Sequence, residues 1–327
     1  MPHENQLPSD SHPYARHNLL VGSLIVLLII SGYLSIKQFS DHDNSVLSNN
    51  LFSQELIEEC VALYLDKVPT RNELAPDILA PRLLDDVAEI EKYLAEFPID
   101  EYTISSVHGI GEFYLDNIED FIKDRLRKGK IWEPSTVQLM GNYVRFGSTV
   151  IDAGAHIGSH TIVMANLVGP NGRVYAFEPQ KKIYRELYHN LKLNNLNNAI
   201  PLRYALGDEA GVIEMNVASI GNEGGTSIGV GGDKAELRTI DGFNFNNVSF
   251  IKIDVEQFED PVLVGARNTI AIHKPILLVE IQGGFDFDTA PEDIRDKVRH
   301  TVDKIKAMGY SVVRVGVYDY LGIPNTL

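Results

Sequence analysis

With 327 residues, the chain is long enough for one large α/β domain with additions or for two domains of ordinary size. Its formal net charge of −16 disfavours a nucleic-acid partner, because proteins that bind phosphates concentrate Lys and Arg. The densest basic run, residues 123–130, alternates with apolar residues and is interpreted as a solvated helix face. The single cysteine, Cys60, excludes an intramolecular disulfide and a cysteine-based zinc site.

A polar tail, residues 1–18, is followed by an apolar segment at 19–36 that contains no charged residue. At about 1.5 Å per residue this segment would cover about 27 Å, which is close to the thickness of a bilayer core. A buried core helix is disfavoured because apolar residues occupy every face. A cleaved signal peptide is disfavoured because no small-x-small site follows. We therefore predict a transmembrane helix and a single-pass membrane protein.

A polar linker at 37–53 separates this segment from a predicted helical N-terminal region at 54–130. Apolar residues recur there at helical spacing, and we interpret them as packing surfaces without chemistry. The two stripes are Leu56, Ile57, Cys60, Val61, Tyr64 and Leu65, and then Leu83, Leu84, Val87, Ile90, Tyr93 and Leu94.

A further helix is predicted to open at Pro134, and from Ser148 onward short apolar runs alternate with helical stretches. This alternation predicts an α/β domain at 131–327, with a parallel sheet and helices on both faces. The predicted strands are 149–154, 172–179, 200–208, 249–256, 275–281 and 310–318, and the predicted helices include 183–193 and 294–308.

The strongest motif runs from Asp152 through Ala155 and His156 to Gly158, where a buried strand enters a glycine-containing turn and then a helix. The spacing of Gly154 and Gly158 is not the Gly-x-Gly-x-x-Gly of dinucleotide sites, in which bare amides surround a pyrophosphate. Asp152 is instead placed to approach the ammonium of an amino-acid tail. At the tip of the second strand, Glu178 is placed to bind ribose hydroxyls. An α/β domain without a nucleoside ligand is the less favoured alternative.

The run VIDAGAHIGSHTIVMANLVGPNGRVYAFEP, followed by YALGD, GNEGGTS, FIKIDVEQFE, GAR and PILLVEI, resembles the FkbM family of methyltransferases over about residues 130–320. The resemblance implies a Rossmann-like fold and S-adenosylmethionine as cofactor. It also implies O-methylation of sugars or other hydroxylated compounds as the common activity. Two residues depart from the family pattern: His156 replaces the usual Asn, and Gln257 replaces the usual Gly.

The resemblance also implies roles for individual residues, beginning with the cofactor. Glu178 would bind the ribose, Ala205 and Leu206 would lie beside the adenine, and an acidic residue at Glu133 would approach the cofactor unless it only caps a helix. The methionine moiety would be lined by Asp152, Gly154, Ala155, His156 and Gly158.

Asp254 ends the fourth predicted strand, where it would face the transferred methyl group. It is the first candidate for orienting or deprotonating an acceptor hydroxyl, and Glu256 is the second. Pairing of Asp254 with Lys252, or helix capping, is a competing interpretation. No spacing of His or carboxylates is typical of a metal site, although a magnesium ion beside Asp254 stays open. The glycine-rich loop 221–227 is predicted to cover the cavity, with a passive hairpin turn as the alternative.

Together these features predict a membrane-anchored methyltransferase that uses S-adenosylmethionine to O-methylate a hydroxylated acceptor such as a sugar or glycoconjugate. Its partners would be a small-molecule or glycan acceptor and the membrane, without nucleic acid. The catalytic domain would lie on a membrane face supplied with S-adenosylmethionine. The alternatives are a membrane-tethered, non-catalytic binding module with a degenerate cofactor pocket and a nicotinamide-dependent oxidoreductase.

Overall fold

A mixed β-sheet flanked by helices forms the centre of the structure, a computed structural model that describes residues 102–216, 221–282 and 289–325. All of these residues belong to the unit Asp85–Leu327. The predicted tail (1–18), transmembrane helix (19–36) and linker (37–53) lie outside the described residues, as does the helical region up to residue 101.

The described secondary structure follows the strand–helix alternation of the sequence from residue 149 onward. The strands are β1 (Thr103–Val107), β2 (Gly111–Leu115), β3 (Thr149–Ala153), β4 (Arg173–Phe177), β5 (Ala199–Leu202), β6 (Tyr204–Leu206), β7 (Gly211–Asn216), β8 (Gly231–Arg238), β9 (Val248–Ile253), β10 (Ile276–Glu280), β11 (Tyr310–Arg314) and β12 (Asp319–Pro324). The α-helices are α1 (Phe121–Arg127), α2 (Pro134–Tyr143), α3 (Ser159–Val168), α4 (Lys181–Leu193), α5 (Glu259–Gly265), α6 (Arg267–His273) and α7 (Glu292–Ala307).

The central sheet has the strand order β11-β12-β10-β9-β3-β4-β5. The chain moves outward from β3 to β4 and β5 and then returns to β9 on the other side of β3, where it continues to β10. The strand order therefore reverses between β3 and β9, and ligands of doubly wound sheets bind beyond the carboxyl ends of the strands at such a point. The two strand ends are joined by a hydrogen bond from the Asp254 amide to the Ala153 carbonyl at 2.9 Å.

The sheet is mixed, which corrects the prediction of a parallel sheet. Strands β3, β4, β5, β9 and β10 are parallel, whereas β12 is antiparallel to both β10 and β11. The reason lies in the connection: a turn at 315–318 joins β11 directly to β12, and such a short connection can only reverse the chain. The predicted strand 310–318 contains β11 and this turn.

The core lies between the sheet and its helices. Val150, Ile151, Phe250 and Ile251 of the two central strands are fully buried, as expected for strands covered on both faces. Helix α3 packs on β3 and β4 and on α2, which explains why its residues are apolar around most of its circumference.

Residues 103–115 correct the prediction of a helical region at 54–130, because they form an antiparallel hairpin of β1 and β2. Phe113 and Leu115 of β2 are buried, so the apolar spacing is that of a strand. The hairpin docks on α4: the Tyr114 amide donates to Asn190 Oδ1 at 2.7 Å, and the Glu112 amide donates to Asn194 Oδ1 at 2.8 Å. Helix α1 agrees with the prediction.

A second sheet, with the order β6-β8-β7, extends beside the central one. The predicted strand 200–208 is divided at Arg203 into β5, which belongs to the central sheet, and β6, which pairs with β8. This division carries Ala205 and Leu206 away from the central sheet and toward its carboxyl edge.

Among residues 102–216, 221–282 and 289–325, no helix is long and apolar enough to cross a membrane. Even α7, with 16 residues, carries charged side chains along its length. The predicted localisation as a single-pass membrane protein is therefore corrected, because nothing in the described structure supports it.

Candidate active site

A cavity of about 480 Å³ opens at the carboxyl edge of the central sheet, at the point where the strand order reverses. It brings together most of the residues that the sequence predicts for the site. Those that line it are Glu133, Gly154, His156, Glu178, Ala205, Leu206, Asp254 and Glu256. Asp152, Ala155 and Gly158 are adjacent in the chain but lie outside its wall.

The two glycines of the turn have different structural roles. Gly154 adopts a φ of +82°, and a Cβ atom at this position would lie 1.7 Å from the Asp254 carbonyl oxygen. Gly158 adopts a φ of +93° at the start of α3, where a Cβ would lie 2.9 Å from Leu187 Cδ1 of α4. Gly154 therefore permits the close approach of β3 to β9 at the cavity, whereas Gly158 permits helix packing.

Asp152 lies behind the cavity, with 0% of its surface exposed. Its Oδ2 accepts a hydrogen bond from Thr161 Oγ1 at 2.6 Å, and its Oδ1 lies 3.6 Å from Lys252 Nζ. Burial raises the pKa of Asp152 and the nearby Lys252 opposes that shift. The structure thus places this carboxylate against α3 and Lys252, and not in the position predicted for contact with a ligand ammonium.

Glu178 follows β4 and is held in place by backbone groups. Its two carboxylate oxygens accept hydrogen bonds from the amides of His156 at 3.1 Å and Gln180 at 3.0 Å. Only 4% of Glu178 is exposed, and burial raises its pKa to about 7. A carboxylate accepts about four hydrogen bonds, so these two amides leave Glu178 with capacity for a hydroxyl group in the cavity.

His156 lines the same part of the cavity in a left-handed backbone conformation, with a φ of +49°. The residue is 9% exposed, and neither ring nitrogen has a hydrogen-bond partner within the described part of the chain. Burial lowers its pKa to about 4, so the ring is neutral and offers one donor and one acceptor. Buried polar atoms of this kind normally have a partner, which indicates that the cavity holds a polar ligand or water.

Asp254 pairs with Lys252 at 2.9 Å, as in the competing interpretation of this residue, and it also lines the cavity. The buried Lys252 ammonium also donates to the Gly154 carbonyl at 3.2 Å. Burial alone would raise the pKa of Asp254, but the Lys252 charge dominates and holds it below its usual range. Asp254 therefore stays ionised at neutral pH and is a weak proton acceptor.

Glu256 lies in the turn after β9 and lines the cavity. It accepts a hydrogen bond from Gln282 Nε2 at 2.6 Å, and burial together with the charge of Asp254 raises its pKa to about 7. Both Glu256 and the following Gln257 have positive φ angles, +50° and +75°. The substitution of Gln for the family's Gly thus leaves this turn in a strained conformation.

Glu280 ends β10 and lines the cavity, although sequence reasoning did not select it. It lies opposite Asp319 in the antiparallel β10–β12 register. The charge of Asp254 and burial raise the pKa of Glu280 to about 9. Its position at the tip of the fifth predicted strand, equivalent to that of Glu178 on the second, was the available signal.

Glu133 precedes α2 with a φ of +43°, makes no capping hydrogen bond with its side chain and lines the cavity, and its approach to the cofactor stays a prediction. Burial raises its pKa to about 7. His160 Nε2 lies 3.6 Å from Glu133 Oε2, and burial lowers the pKa of His160 to about 3. His160 is therefore buried and neutral.

The loop predicted to cover the cavity forms part of its wall, through Asn222, Gly224, Gly225 and Thr226. It is fastened to α1, because the Glu223 amide donates to Asp120 Oδ2 at 3.0 Å and the Glu223 carboxylate pairs with Lys123. These contacts favour the covering role over a passive turn.

Lys123 lies at the centre of this attachment with 0% exposure, which corrects its interpretation as part of a solvated face. Its ammonium contacts Asp116 at 3.0 Å, Glu186 at 2.9 Å and Glu223 at 2.7 Å. Within the ranges described, these three carboxylates are the group spaced closely enough for a metal ion. The Lys123 ammonium fills the space between them.

Comparison with known proteins gives one family match: the methyltransferase FkbM domain, over residues 152–312. No curated protein matches the chain. Among solved structures the chain is similar to a methyltransferase FkbM from Methylobacillus flagellatus KT, with 21% identity and a TM-score of 0.40 over 57% of this chain and 46% of that chain. It is also similar to fibrillarin from Aeropyrum pernix with bound S-adenosyl-L-methionine, with 14% identity and a TM-score of 0.37 over 70% and 85% of the two chains.

The FkbM match extends from the end of β3 to β11 and so includes every strand whose carboxyl end borders the cavity. It contains Gly154, Glu178, Asp254 and Glu256, in the order in which the sequence motifs occur. The chain spans less than half of the Methylobacillus flagellatus protein, so the match identifies a domain. Residues 152–312 belong to the FkbM family of methyltransferases, whose cofactor is the predicted S-adenosylmethionine.

Proposed function

We propose that this domain transfers a methyl group from S-adenosylmethionine to a hydroxyl oxygen of a small acceptor, such as a sugar or glycoconjugate. The observation that carries the proposal is the cavity at the switch point. It combines a fixed carboxylate on β4, a glycine turn after β3 and two carboxylates after β9. The first two features suit a nucleoside with an amino-acid tail, and the third suits a reacting hydroxyl.

The residues present fit this cofactor. Glu178 has remaining acceptor capacity for ribose hydroxyls, and Ala205 and Leu206 supply an apolar wall for the adenine. The unpartnered ring of His156 is placed to bind the cofactor's polar tail beside Gly154. Asp152, Ala155 and Gly158 would support this half of the cavity from behind, by holding Lys252, the turn and α3.

The two carboxylates after β9 are suited to different tasks. S-adenosylmethionine supplies, when bound, a methyl group on a sulfonium, and the acceptor oxygen bonds to that carbon as the carbon–sulfur bond breaks. Glu256, with a pKa of about 7, is suited to take the hydroxyl proton at neutral pH. Asp254, kept ionised by Lys252, is suited to orient the hydroxyl by accepting its hydrogen bond.

Methyl transfer fits the cavity better than the two alternatives. A nicotinamide-dependent oxidoreductase would need bare amides around a pyrophosphate, and the FkbM match runs through the motifs that replace them. A non-catalytic binding module rests on the departures at His156 and Gln257. His156 lines the open cavity and Gln257 is not among its lining residues, so neither closes it.

The test uses the full chain and S-adenosylmethionine with a labelled methyl group. Calorimetric titration measures cofactor binding, and incubation with a panel of hydroxylated acceptors measures methyl transfer. Glu256→Gln removes the proton acceptor, and Glu209→Gln, at an exposed site, is the matched control. We expect cofactor binding in all three proteins and methyl transfer in the wild type and the control. Binding without transfer to any acceptor would favour the non-catalytic module.

A further inference from the structure

The cavity wall is rich in carboxyl groups. Among the described residues that line it are five carboxylates, and none of the Lys or Arg side chains is in that set. The nearest ammonium, Lys252, lies behind Asp254 and is engaged by Asp254 and Asp152. The five carboxylates are Glu133, Glu178, Asp254, Glu256 and Glu280.

Most of these acidic side chains lie at one end of the cavity. Glu178 follows β4, whereas Asp254 and Glu280 lie at the ends of β9 and β10, and Asp319 lies opposite Glu280. Three strand intervals separate β4 from β10, which corresponds to about 14 Å. Glu133 belongs to the same end, because it lines one small pocket together with Asp254, Glu280 and Asp319. The end that holds these acidic side chains is the acceptor end in the proposed function.

The cofactor alone does not balance this charge. S-adenosylmethionine carries two positive groups and one negative group, and Asp254 is already paired with Lys252. The single net positive charge of the cofactor would then be opposite three carboxylates, those of Glu133, Glu256 and Glu280. Burial and mutual repulsion raise the pKa of all three, which shows that the protein alone disfavours their ionisation together. A further cation would relieve the repulsion.

The shape of the acceptor end suits an organic cation. Trp132 and Tyr318 also line the cavity, and aromatic faces combined with carboxylates bind ammonium groups. A divalent metal would need oxygen atoms that converge within about 2.0–2.6 Å of one point. Within the described chain, the only carboxylates close enough together for this are those around Lys123, outside the cavity.

A second observation shows that the cavity is built for a polar ligand. His156 is more than nine-tenths buried and lines the cavity, yet both of its ring nitrogens lack a partner in the described structure. We propose that the acceptor is a hydroxylated molecule that also carries an ammonium group, which Glu280 and Glu133 bind beside the reacting hydroxyl. An amino sugar is the simplest member of this class. This inference rests on the proposed function, because it concerns the same cavity.

The test compares three hexoses that differ in charge: glucosamine, glucose and glucuronate. The full chain is first saturated with S-adenosylhomocysteine, the unreactive product, and each sugar is then titrated by calorimetry at a pH where glucosamine is protonated. We expect glucosamine to bind about tenfold more tightly than glucose, and glucuronate to bind most weakly, because a charge-assisted hydrogen bond supports such a difference.

Two variants locate the effect. Glu280→Gln should remove most of the preference for glucosamine and leave the affinity for S-adenosylhomocysteine unchanged. Glu209→Gln removes the same charge from an exposed site and should keep the preference.

Equal binding of the three sugars, stronger binding of glucuronate, or no binding of any sugar to the saturated protein would overturn the inference. So would Mg²⁺ binding that Glu280→Gln abolishes, since the acidic end would then be a metal site. Failure of S-adenosylhomocysteine itself to bind would instead overturn the proposed function.

Discussion

The ammonium group of Lys123 lies 2.7 Å from the carboxylate of Glu223, and both side chains are buried. The contact joins α1 to the glycine-rich loop that forms part of the cavity wall. Asp116 and Glu186 complete the surroundings of the ammonium, so one cation is held by three carboxylates from different parts of the chain. The position of the loop thus depends on a buried charge cluster.

Replacing Lys123 should disrupt this cluster and lower the free energy of unfolding of the protein. Lys123→Met keeps the length of the side chain but removes the fully buried counter-ion of Asp116, Glu186 and Glu223, which leaves the partly exposed Lys182 as their remaining common cation. Breaking a buried ion pair in this way costs about 3–5 kcal/mol of the free energy of unfolding. Urea denaturation measures it. Lys306→Met, which removes an exposed contact with Asp303, is the control and should change stability by less than about 1 kcal/mol. A similar small change in Lys123→Met would contradict this account of the cluster.

Glu178 should affect both cofactor affinity and stability. Glu178→Ala removes the acceptor for the ribose and leaves the amides of His156 and Gln180 unpaired. We expect cofactor binding to weaken by about 1.5–3 kcal/mol and the protein to be destabilised by about 1–3 kcal/mol. Glu178→Gln keeps an acceptor oxygen, so it should retain more of the cofactor affinity and of the stability than Glu178→Ala does. Calorimetry and thermal melting on the same preparations separate the effects. Unchanged cofactor affinity in the Ala variant would place the ribose elsewhere.

Glu256→Gln and Asp254→Asn should distinguish proton removal from orientation. Loss of the base in Glu256→Gln should lower the single-turnover rate by about 10²- to 10⁴-fold, with cofactor affinity preserved. Asp254→Asn should also lower the rate, but in addition it weakens the pairing of Lys252, which retains Asp152 and the Gly154 carbonyl. We therefore expect a lower melting temperature only for Asp254→Asn. Normal turnover of the Gln variant would remove Glu256 from the mechanism.

Gln257→Gly should stabilise the protein. Gln257 has a φ of +75°, where a residue with a Cβ is strained by about 1–2 kcal/mol, and part of that is offset by the greater freedom of Gly in the unfolded chain. The expected gain in the free energy of unfolding is about 0.5–1 kcal/mol, measured by urea denaturation. Gln257→Ala removes the same side chain but keeps the Cβ, so it should bring no gain. Equal effects of the two substitutions would show that strain is not the cause.

The stability of the ligand-free protein should fall as the pH rises from about 7.5 to 9, chiefly through Glu280. Burial raises the pKa of Glu133, Glu178 and Glu256 to about 7, and the charge of Asp254 with burial raises that of Glu280 to about 9. These groups stay protonated in the folded protein where they are ionised in the unfolded chain. Their stabilising contribution is complete at low pH and is lost as the pH passes through the folded pKa values.

In this pH range the titration of the buried histidines does not contribute to the change in stability. Burial lowers the pKa of His156 to about 4 and of His160 to about 3, so above about pH 7.5, one unit above the pKa of an unfolded-chain histidine, both are neutral in the folded and unfolded states. Melting temperatures across the range check the prediction. Glu280→Gln should reduce the fall at its alkaline end. A stability that rises with pH in the wild type would contradict the predicted protonation states.

Much of the cavity could be predicted from sequence, because its residues lie at strand ends. Gly154 and Glu178 each follow a run of buried residues, and the direction of parallel strands places such ends at one edge. Glu280 follows the same rule and lies within PILLVEI, but its local sequence gives no sign of a role in the cavity. Its importance comes from Asp254 and Asp319 on neighbouring strands, and strand order across β10 is not encoded locally.

Contacts between residues far apart in the sequence also explain the other predictions that the structure corrects. Lys123 is of a residue type that is normally exposed, and its burial depends on contacts with Asp116, Glu186 and Glu223, the last of which is 100 residues away. Asp152 appeared free to meet a ligand, but the fold sets it against Thr161 and Lys252. The hairpin β1–β2 is stabilised by side-chain amides of α4, which the local sequence of 103–115 does not contain.

The reversed direction of β12 has a practical consequence for attaching this protein to a surface. Its first residue, Asp319, lies opposite Glu280 at the cavity edge, and its last residue, Pro324, lies at the opposite edge of the sheet. The five residue intervals between them correspond to about 17 Å. A probe or resin coupled through Asn325, which is exposed, therefore leaves the ligand entrance clear, whereas coupling through Tyr318 would obstruct it.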